Sequence, residues 1–352
     1  MTSSLPFVIE GTIQNYIEKK LGYRREALKI VGYLAKSNLS NIIASRKLQF
    51  EKYEFKFRKT QEFEGYEFWE FAQRASELRF YALQTPEGYV FIMSKIPTET
   101  FKWHLLPFFA SLYPDLTRLY LSSDEIRFAL TRLEEQIGQP LFYRSVVMKR
   151  LFGVKERFTD VHFSRRDRPV EEAFRTAAMR GSWIDYIQVS DADRKQIGLS
   201  VTRRGTASVR RGRFGLVYDS ILAPMCAKGR QRYAFMDNRE RQAIPRKVNP
   251  FIIRYDETLF DKPEVIGRLR QILESYKHCY YTVVHSGNPY LYMMITDTLD
   301  NSAFSIRTLR ENTLMIVPQV RATADSLMRF YRFMSAEFRE GTLDNPTESA
   351  VV

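Results

Sequence analysis

Cysteine is almost missing from this chain: Cys226 and Cys279 are the only two among 352 residues. They lie far apart and without metal-ligand spacing, which excludes a disulfide framework and points to a reducing compartment. Histidine is nearly as scarce. His104, His162, His278 and His285 form no HxxxH or HExxH pattern, so no structural zinc site is expected. No stretch approaches the roughly 18 uncharged apolar residues that a membrane-spanning helix needs. The opening MTSSLPFVIEGT has neither a basic n-region nor a long apolar h-region, and does not read as a signal peptide. These absences predict a cytoplasmic protein, or a nuclear one in a host with a nucleus, and no membrane partner. The patterns GxGxxG, GxxxxGK[ST] and GxSxG are missing too. A doubly wound nucleotide fold and a serine hydrolase therefore lack support, and no cofactor is expected.

Acidic residues are the other shortage. Against 54 Lys and Arg stand 41 Asp and Glu, a formal charge of +13. Of the 54, 37 are arginine and 17 lysine. Lysine would serve solubility equally well, whereas the arginine fork binds phosphate bidentately and stacks on bases. A GC-rich genome would produce the same bias, so composition alone does not decide. The balance favours a polyanion as partner, nucleic acid (DNA or RNA) ahead of an acidic membrane surface.

Hydrophobic residues make up 44% of the chain, enough to bury sizeable cores, and the length suggests more than one domain. The order of apolar runs predicts an α+β fold, mainly antiparallel sheets with flanking helices. Residues 1–75 read as helices over Thr12–Lys20, Arg24–Ala35 and Leu39–Leu48, followed by an aromatic hairpin. Three helices and then a hairpin is the order of a winged helix-turn-helix. Leu39–Leu48 would then be the recognition helix, although Glu51, Glu54, Glu62 and Glu64 make a poor wing for phosphates. Residues 76–150 read as hairpin, helix, strand and helix. Residues 151–250 form a basic, β-rich region, 251–341 a second α+β unit closed by a long helix, and 342–352 a flexible tail. The units around 76–137 and 263–338 share a layout of hairpin, further strand and closing helix, the mark of a duplication.

The stretch VTRRGTASVRRGRFGLVYD, from Val201 to Asp219, packs five arginines into eleven residues. A hairpin with its tip at Gly205-Thr206 would put Arg203 and Arg204 on the entering strand, and Arg210, Arg211 and Arg213 on the returning one. Strand alternation would then give Arg211 and Arg213 one face and Arg210 the other. Downstream, Lys228, Arg230, Arg232, Arg239, Arg241, Arg246 and Lys247 read as a basic loop. Across Val201–Asn249 the twelve cations exceed the acids Asp219, Asp237 and Glu240 by nine, most of the net charge of the whole chain. Contiguous phosphates suit that distribution, because each neutralised phosphate releases condensed counterions. Phe214, Tyr218 and Tyr233 would offer stacking faces among the arginines. A solvated basic surface is the plain alternative. A second cluster lies upstream: Arg144, Lys149, Arg150, Lys155, Arg157, Arg165, Arg166 and Arg168.

One stretch hints at catalysis. GSWIDYIQVSDADRK resembles the active-site pattern of nucleotidyltransferases, a Gly-Ser followed by Ser-Asp-x-Asp, which would make Asp191 and Asp193 metal ligands. The strand-like WIDYIQV replaces that family's short loop, however, and Arg-Lys-Gln follows Asp193 where an apolar strand should continue. An acidic turn capped by Asp191 is the competing expectation. The sequence therefore leads to a non-catalytic nucleic-acid-binding protein that holds phosphate backbone, as a subunit of a nucleoprotein assembly or alone. The alternatives are a winged-helix DNA binder, a metal-dependent nucleotidyltransferase or nuclease, and a self-assembling viral-type shell protein.

Overall fold

The run LKIVGYLA, expected to end a helix, is a strand: β1 (Leu28–Ala35). Leu28 and Ile30 face one core while Val31 and Tyr33 face another, and the strand has partners on both edges. A strand buried on both sides shows no polar alternation, so its apolar run looks the same as a buried helix. With β1 in the sheet, the three-helix order of a winged helix-turn-helix is gone. Helix α1 (Ile13–Leu21) lies where expected, and Leu39–Leu48 divides into α2 (Leu39–Ser45) and α3 (Lys47–Lys52). Leu39, Ile42, Ile43 and Phe50 of α2 and α3 pack into the core beneath the sheet, so the pair covers it.

The chain is seen in a computed structural model that describes residues 13–21, 27–73, 78–150, 159–239, 248–287, 290–310, 312–319 and 321–346. The side chains of 13, 14, 150, 159–167 and 310 stand outside that description. The fold is α+β with antiparallel sheets, and it divides into two units. The first holds Met1–Met148 and Asp160–Gly229, the second Lys149–Thr159 and Arg230–Val352.

The first unit is built on one sheet. After α3 come β2 (Phe55–Phe63), β3 (Tyr66–Gln73), β4 (Arg79–Gln84), β5 (Tyr89–Ser94), α4 (Thr98–Thr100) and α5 (Leu106–Ala110). Then follow β6 (Leu116–Arg118), α6 (Ser123–Ile137), β7 (Leu141–Arg150), β8 (Thr159–Pro169) and α7 (Val170–Met179). The unit ends with β9 (Ser182–Asp191), β10 (Gly198–Thr202), β11 (Thr206–Arg211), α8 (Phe214–Val217) and the start of α9 (Ala223–Asp237). The strand order is β2-β3-β4-β5-β1-β11-β10-β9-β7-β8, and β6 also pairs with β1. Both β11 and β6 lie along one edge of β1, on Leu28–Val31 and Tyr33–Ala35 respectively.

The second unit has its own core and a six-stranded sheet. Its elements are β12 (Phe251–Arg254), α10 (Pro263–Glu274), β13 (Cys279–Ser286), β14 (Leu291–Asp297), β15 (Ser302–Arg310), β16 (Thr313–Pro318), α11 (Ala324–Phe333) and β17 (Thr342–Asp344). The order is β13-β14-β15-β16-β12-β17. The tail expected to be loose from residue 342 thus begins as a strand, because Thr342–Asp344 finds the open edge of β12.

The pairing expected between 76–137 and 263–338 does not hold; what recurs is a strand order over residues 28–94 and 251–318. The order β2-β3-β4-β5-β1 of the first unit recurs as β13-β14-β15-β16-β12 in the second, each with helices after its first and last strands. The run from β6 to α9 shares the helix after its first strand and after its last, but β11 and β6 both pair with β1 and not with each other. Two rare backbone features recur at matching places. A π turn occurs in the closing helix each time: within it at Phe101–Leu105 and Tyr218–Leu222, and at its end at Met334–Phe338. Such turns account for well under 1% of residues. A left-handed residue also follows the first helix each time: Glu54, Gly138 and His278. Local geometry thus repeats where side chains do not.

Candidate nucleic-acid interface

The hairpin β10–β11 forms where it was expected, with Thr202 opposite Thr206 across the turn. Gly205 sits there at φ 65°, and a Cβ on it would lie 2.5 Å from the carbonyl oxygen of Leu119. Only glycine meets both demands, because a side chain would clash and a positive φ is strained for other residues. The turn is fastened to the sheet by Gly32 N–H donating to Gly205 O and Leu121 N–H donating to Arg203 O.

At the other end of the hairpin the register slips. Val209 opposes Leu199 and Arg211 opposes Gly198, so Arg210 is an extra residue on β11. A bulge re-aims side chains, and both Arg210 and Arg211 are exposed. Gly212, at φ 127°, then ends the strand, and Arg213 becomes the exposed N-cap of α8 rather than a strand residue. The expected alternation, Arg211 and Arg213 against Arg210, therefore does not hold. Arg210, Arg211 and Arg213 are each exposed, and none of them enters an ion pair among the described residues. Arg204, in the turn, is exposed as well.

The sheet beside this group has two unlike faces. Ile187, Val189, Leu199, Val201, Ala207 and Val209 point into the core. Direct pairing puts Tyr186, Thr202 and Thr206 in one row on the other face, and Gln188, Ser200 and Ser208 in the next. All six are half-buried. Arg144 joins this face by donating from Nε to Ser190 Oγ at 3.2 Å, and Arg118 donates to Thr206 Oγ1 at 2.7 Å. The result is a face of hydroxyl and amide groups with an arginine group at one end. The period-two alternation in GLSVT and TASVRR already carried that signal.

Other members of the expected set are elsewhere. Arg203 is 1% exposed, its guanidinium 5.3 Å from the Tyr120 ring and 5.4 Å from the Trp183 ring, and it donates to the Tyr120 hydroxyl. It is a core residue. Residues 227–237, expected as part of a loop, belong to helix α9, which carries exposed Lys228 in the first unit and, in the second, exposed Arg230 and half-buried Arg232. Arg239 is buried, lies 3.4 Å from the Phe235 ring, and donates to Phe235 O and Asn345 Oδ1. Burial lowers its pKa from the ordinary arginine value. Arg241, Arg246 and Lys247 lie outside the described residues, as do Lys155 and Arg157 and the side chains of Arg150, Arg165 and Arg166. Arg168 pairs with Glu172 at 2.9 Å.

Asp191 caps a turn. Its Oδ2 accepts from the N–H groups of Lys195 at 3.0 Å and Gln196 at 3.3 Å, and its Oδ1 accepts from Ile197 N–H at 2.9 Å. Burial alone would raise the carboxyl pKa, but the bonds from Ile197, Lys195 and Gln196 outweigh it and hold the group below its usual range. Asp193 is exposed, 3.9 Å from Lys195 Nζ. Among the described residues no three His, Cys, Asp or Glu side chains are grouped to hold a metal.

A depressed carboxyl pKa stabilises the fold above the unfolded value, about 3.9 for aspartate, and that contribution fades as pH falls through the folded value. Asp191→Ala should therefore lose about 1.5–3 kcal/mol at neutral pH, the usual worth of hydrogen bonds to a charged group. The deficit against the parent protein should shrink near pH 3. Urea denaturation at both pH values checks this, and an equal deficit at both would contradict the capping role.

No protein-family model and no curated protein matches the chain.

Proposed function

We propose that the protein binds nucleic acid, DNA or RNA, without catalysis, gripping the phosphate backbone with Arg210, Arg211 and Arg213. One observation carries this: the three guanidiniums are exposed within four residues, with no ion pair among the described residues. Three like charges within four residues repel one another, and an anionic chain relieves that repulsion. The adjoining face supplies Ser200, Thr202, Thr206 and Ser208, residue types that contact phosphate and sugar without reading sequence. Of the other cations in the expected set, Arg204, Lys228 and Arg230 are exposed as well, while Arg203 and Arg239 are buried. No helix among the described residues is long and apolar enough to cross a membrane. The few cysteines, both free, suit a cytoplasmic or nuclear setting, where nucleic acid is within reach.

Binding to a labelled oligonucleotide over a range of salt concentrations tests the proposal. Each phosphate contact adds roughly 0.9 to the slope of log affinity against log salt on duplex DNA. Changing Arg210, Arg211 and Arg213 together to glutamine should lower that slope by roughly three and weaken binding at low salt. Lys47→Gln with Lys52→Gln, exposed on α3, should change neither. Unaltered affinity and slope in the triple variant would reject the proposal.

A further inference from the structure

Large apolar side chains are rarely left exposed in a group without reason. Among the described residues thirteen are exposed, and six of them fall between Tyr280 and Leu299. They centre on the edge strand β13 and its neighbour β14. Register places Tyr280 opposite Thr296, Thr282 opposite Met294, and Tyr292 opposite Arg307. These pairs lie on the side of the sheet away from the core, because Met293 and Ile295 between them face inward. Tyr280 is 75% and Met294 42% exposed. The Arg307 guanidinium stacks 4.4 Å from the Tyr292 ring and remains exposed. The open area is this half of the sheet, since Ser305 and Met315 on the same side are buried.

We infer that β13 and β14 form a stacking platform for the bases of single-stranded nucleic acid, a second site carried by the second unit. The rows headed by Tyr280, Met294 and Tyr292 are about 7 Å apart, so successive bases meet successive side chains. Every base has a π-face, and tyrosine with an arginine alongside is the surface that takes it without regard to sequence. Charge agrees. In β13, β14, β15 and β16 the sole carboxylate is Asp297, which is buried and paired with Arg329, while Arg307 lies on the open side. A backbone crossing this face meets a cation and no acid from those strands.

The experiment compares a short labelled oligothymidylate with heparin, a polyanion without bases, on the full chain. Tyr280→Ala and Tyr292→Ala should each weaken the oligonucleotide by about 5- to 150-fold and leave heparin unchanged. Tyr280→Phe and Tyr292→Phe, which keep the rings, should bind as the parent does. The glutamine triple variant of Arg210, Arg211 and Arg213 should weaken both ligands, which separates the two sites. Unchanged oligonucleotide binding in the alanine variants overturns the inference, as does an equal loss of heparin. A concentration-dependent dimer, abolished by Tyr280→Ala while oligonucleotide binding persists, overturns it too and assigns the face to a second copy of the chain.

Discussion

Arg203→Ala should cost about 2–5 kcal/mol of stability, the range for truncating a large buried side chain, while Arg211→Ala stays within about 0.5 kcal/mol. The two arginines stand in the same hairpin and read alike in sequence. Arg203 is 1% exposed and lies near the rings of Tyr120 and Trp183. Truncation empties that space and removes the ring contacts and the bond to the Tyr120 hydroxyl. The site has little freedom to collapse, because Arg203 N–H donates to Asp185 O and Arg203 O accepts from Leu121 N–H. Lysine should recover little, since its ammonium lacks the planar surface that stacks on aromatic rings. Thermal unfolding of the three variants checks this. Trp183 fluorescence should shift on folding of the parent, and the shift should come at lower temperature in Arg203→Ala. Equal stability of Arg203→Ala and Arg211→Ala would remove Arg203 from the core and return it to the binding surface.

That contrast shows where the sequence stops being legible. Alternation in GLSVT and TASVRR placed the hairpin and the glycine at its turn, because period two and a positive-φ requirement are local properties. Charge density is local as well, but burial is not. Tyr120 and Trp183, which make Arg203 a core residue, come from distant stretches, LTRLYL and GSWIDYIQV. Arg239 was hidden in the same way, by Phe235 and by Asn345 far along the chain. Helix α9 was missed because AKGRQRYAFMD has no apolar stripe to give a 3.6-residue period. Strand β1 was missed for the opposite reason, since burial on both faces removes alternation. The bulge at Gly198 needed the register of a partner strand, and a single strand read alone cannot supply it. Nothing in the run CYYTVV marks Tyr280 and Tyr281 as exposed. Only the position of β13 at the edge of its sheet leaves them exposed.

Asp297→Ala should be the most damaging change in the second unit, a loss of about 3–5 kcal/mol, as when one partner is removed from a buried ion pair. Asp297 is fully buried at the end of β14, opposite Cys279 on one side and Ser302 on the other. Its carboxylate pairs with Arg329 and accepts from Ser326 Oγ at 2.8 Å, and its Oδ1 accepts from Leu299 N–H at 3.0 Å. Ser326 and Arg329 are one turn apart on α11, so one carboxylate clips that helix to the sheet. The Arg329 side chain is 17% exposed, and its guanidinium lies 4.9 Å from the Tyr276 ring. Without Asp297 that charge keeps its bond to Lys277 O at 3.2 Å and the Tyr276 ring but loses its buried carboxylate, which is why the single change should be costly. Asp297→Ala combined with Arg329→Met should recover part of the loss, because the stranded charge goes with its partner. Tryptophan fluorescence is blind here, since Trp69, Trp103 and Trp183 all belong to the first unit. Hydrogen exchange in peptides from β14, β15 and α11 is the suitable readout. Protection should fall sharply in Asp297→Ala and return in part in the double variant. A double variant as unprotected as the single one would mean that Asp297 acts through its bonds to Ser326 and Leu299 and not by neutralising Arg329.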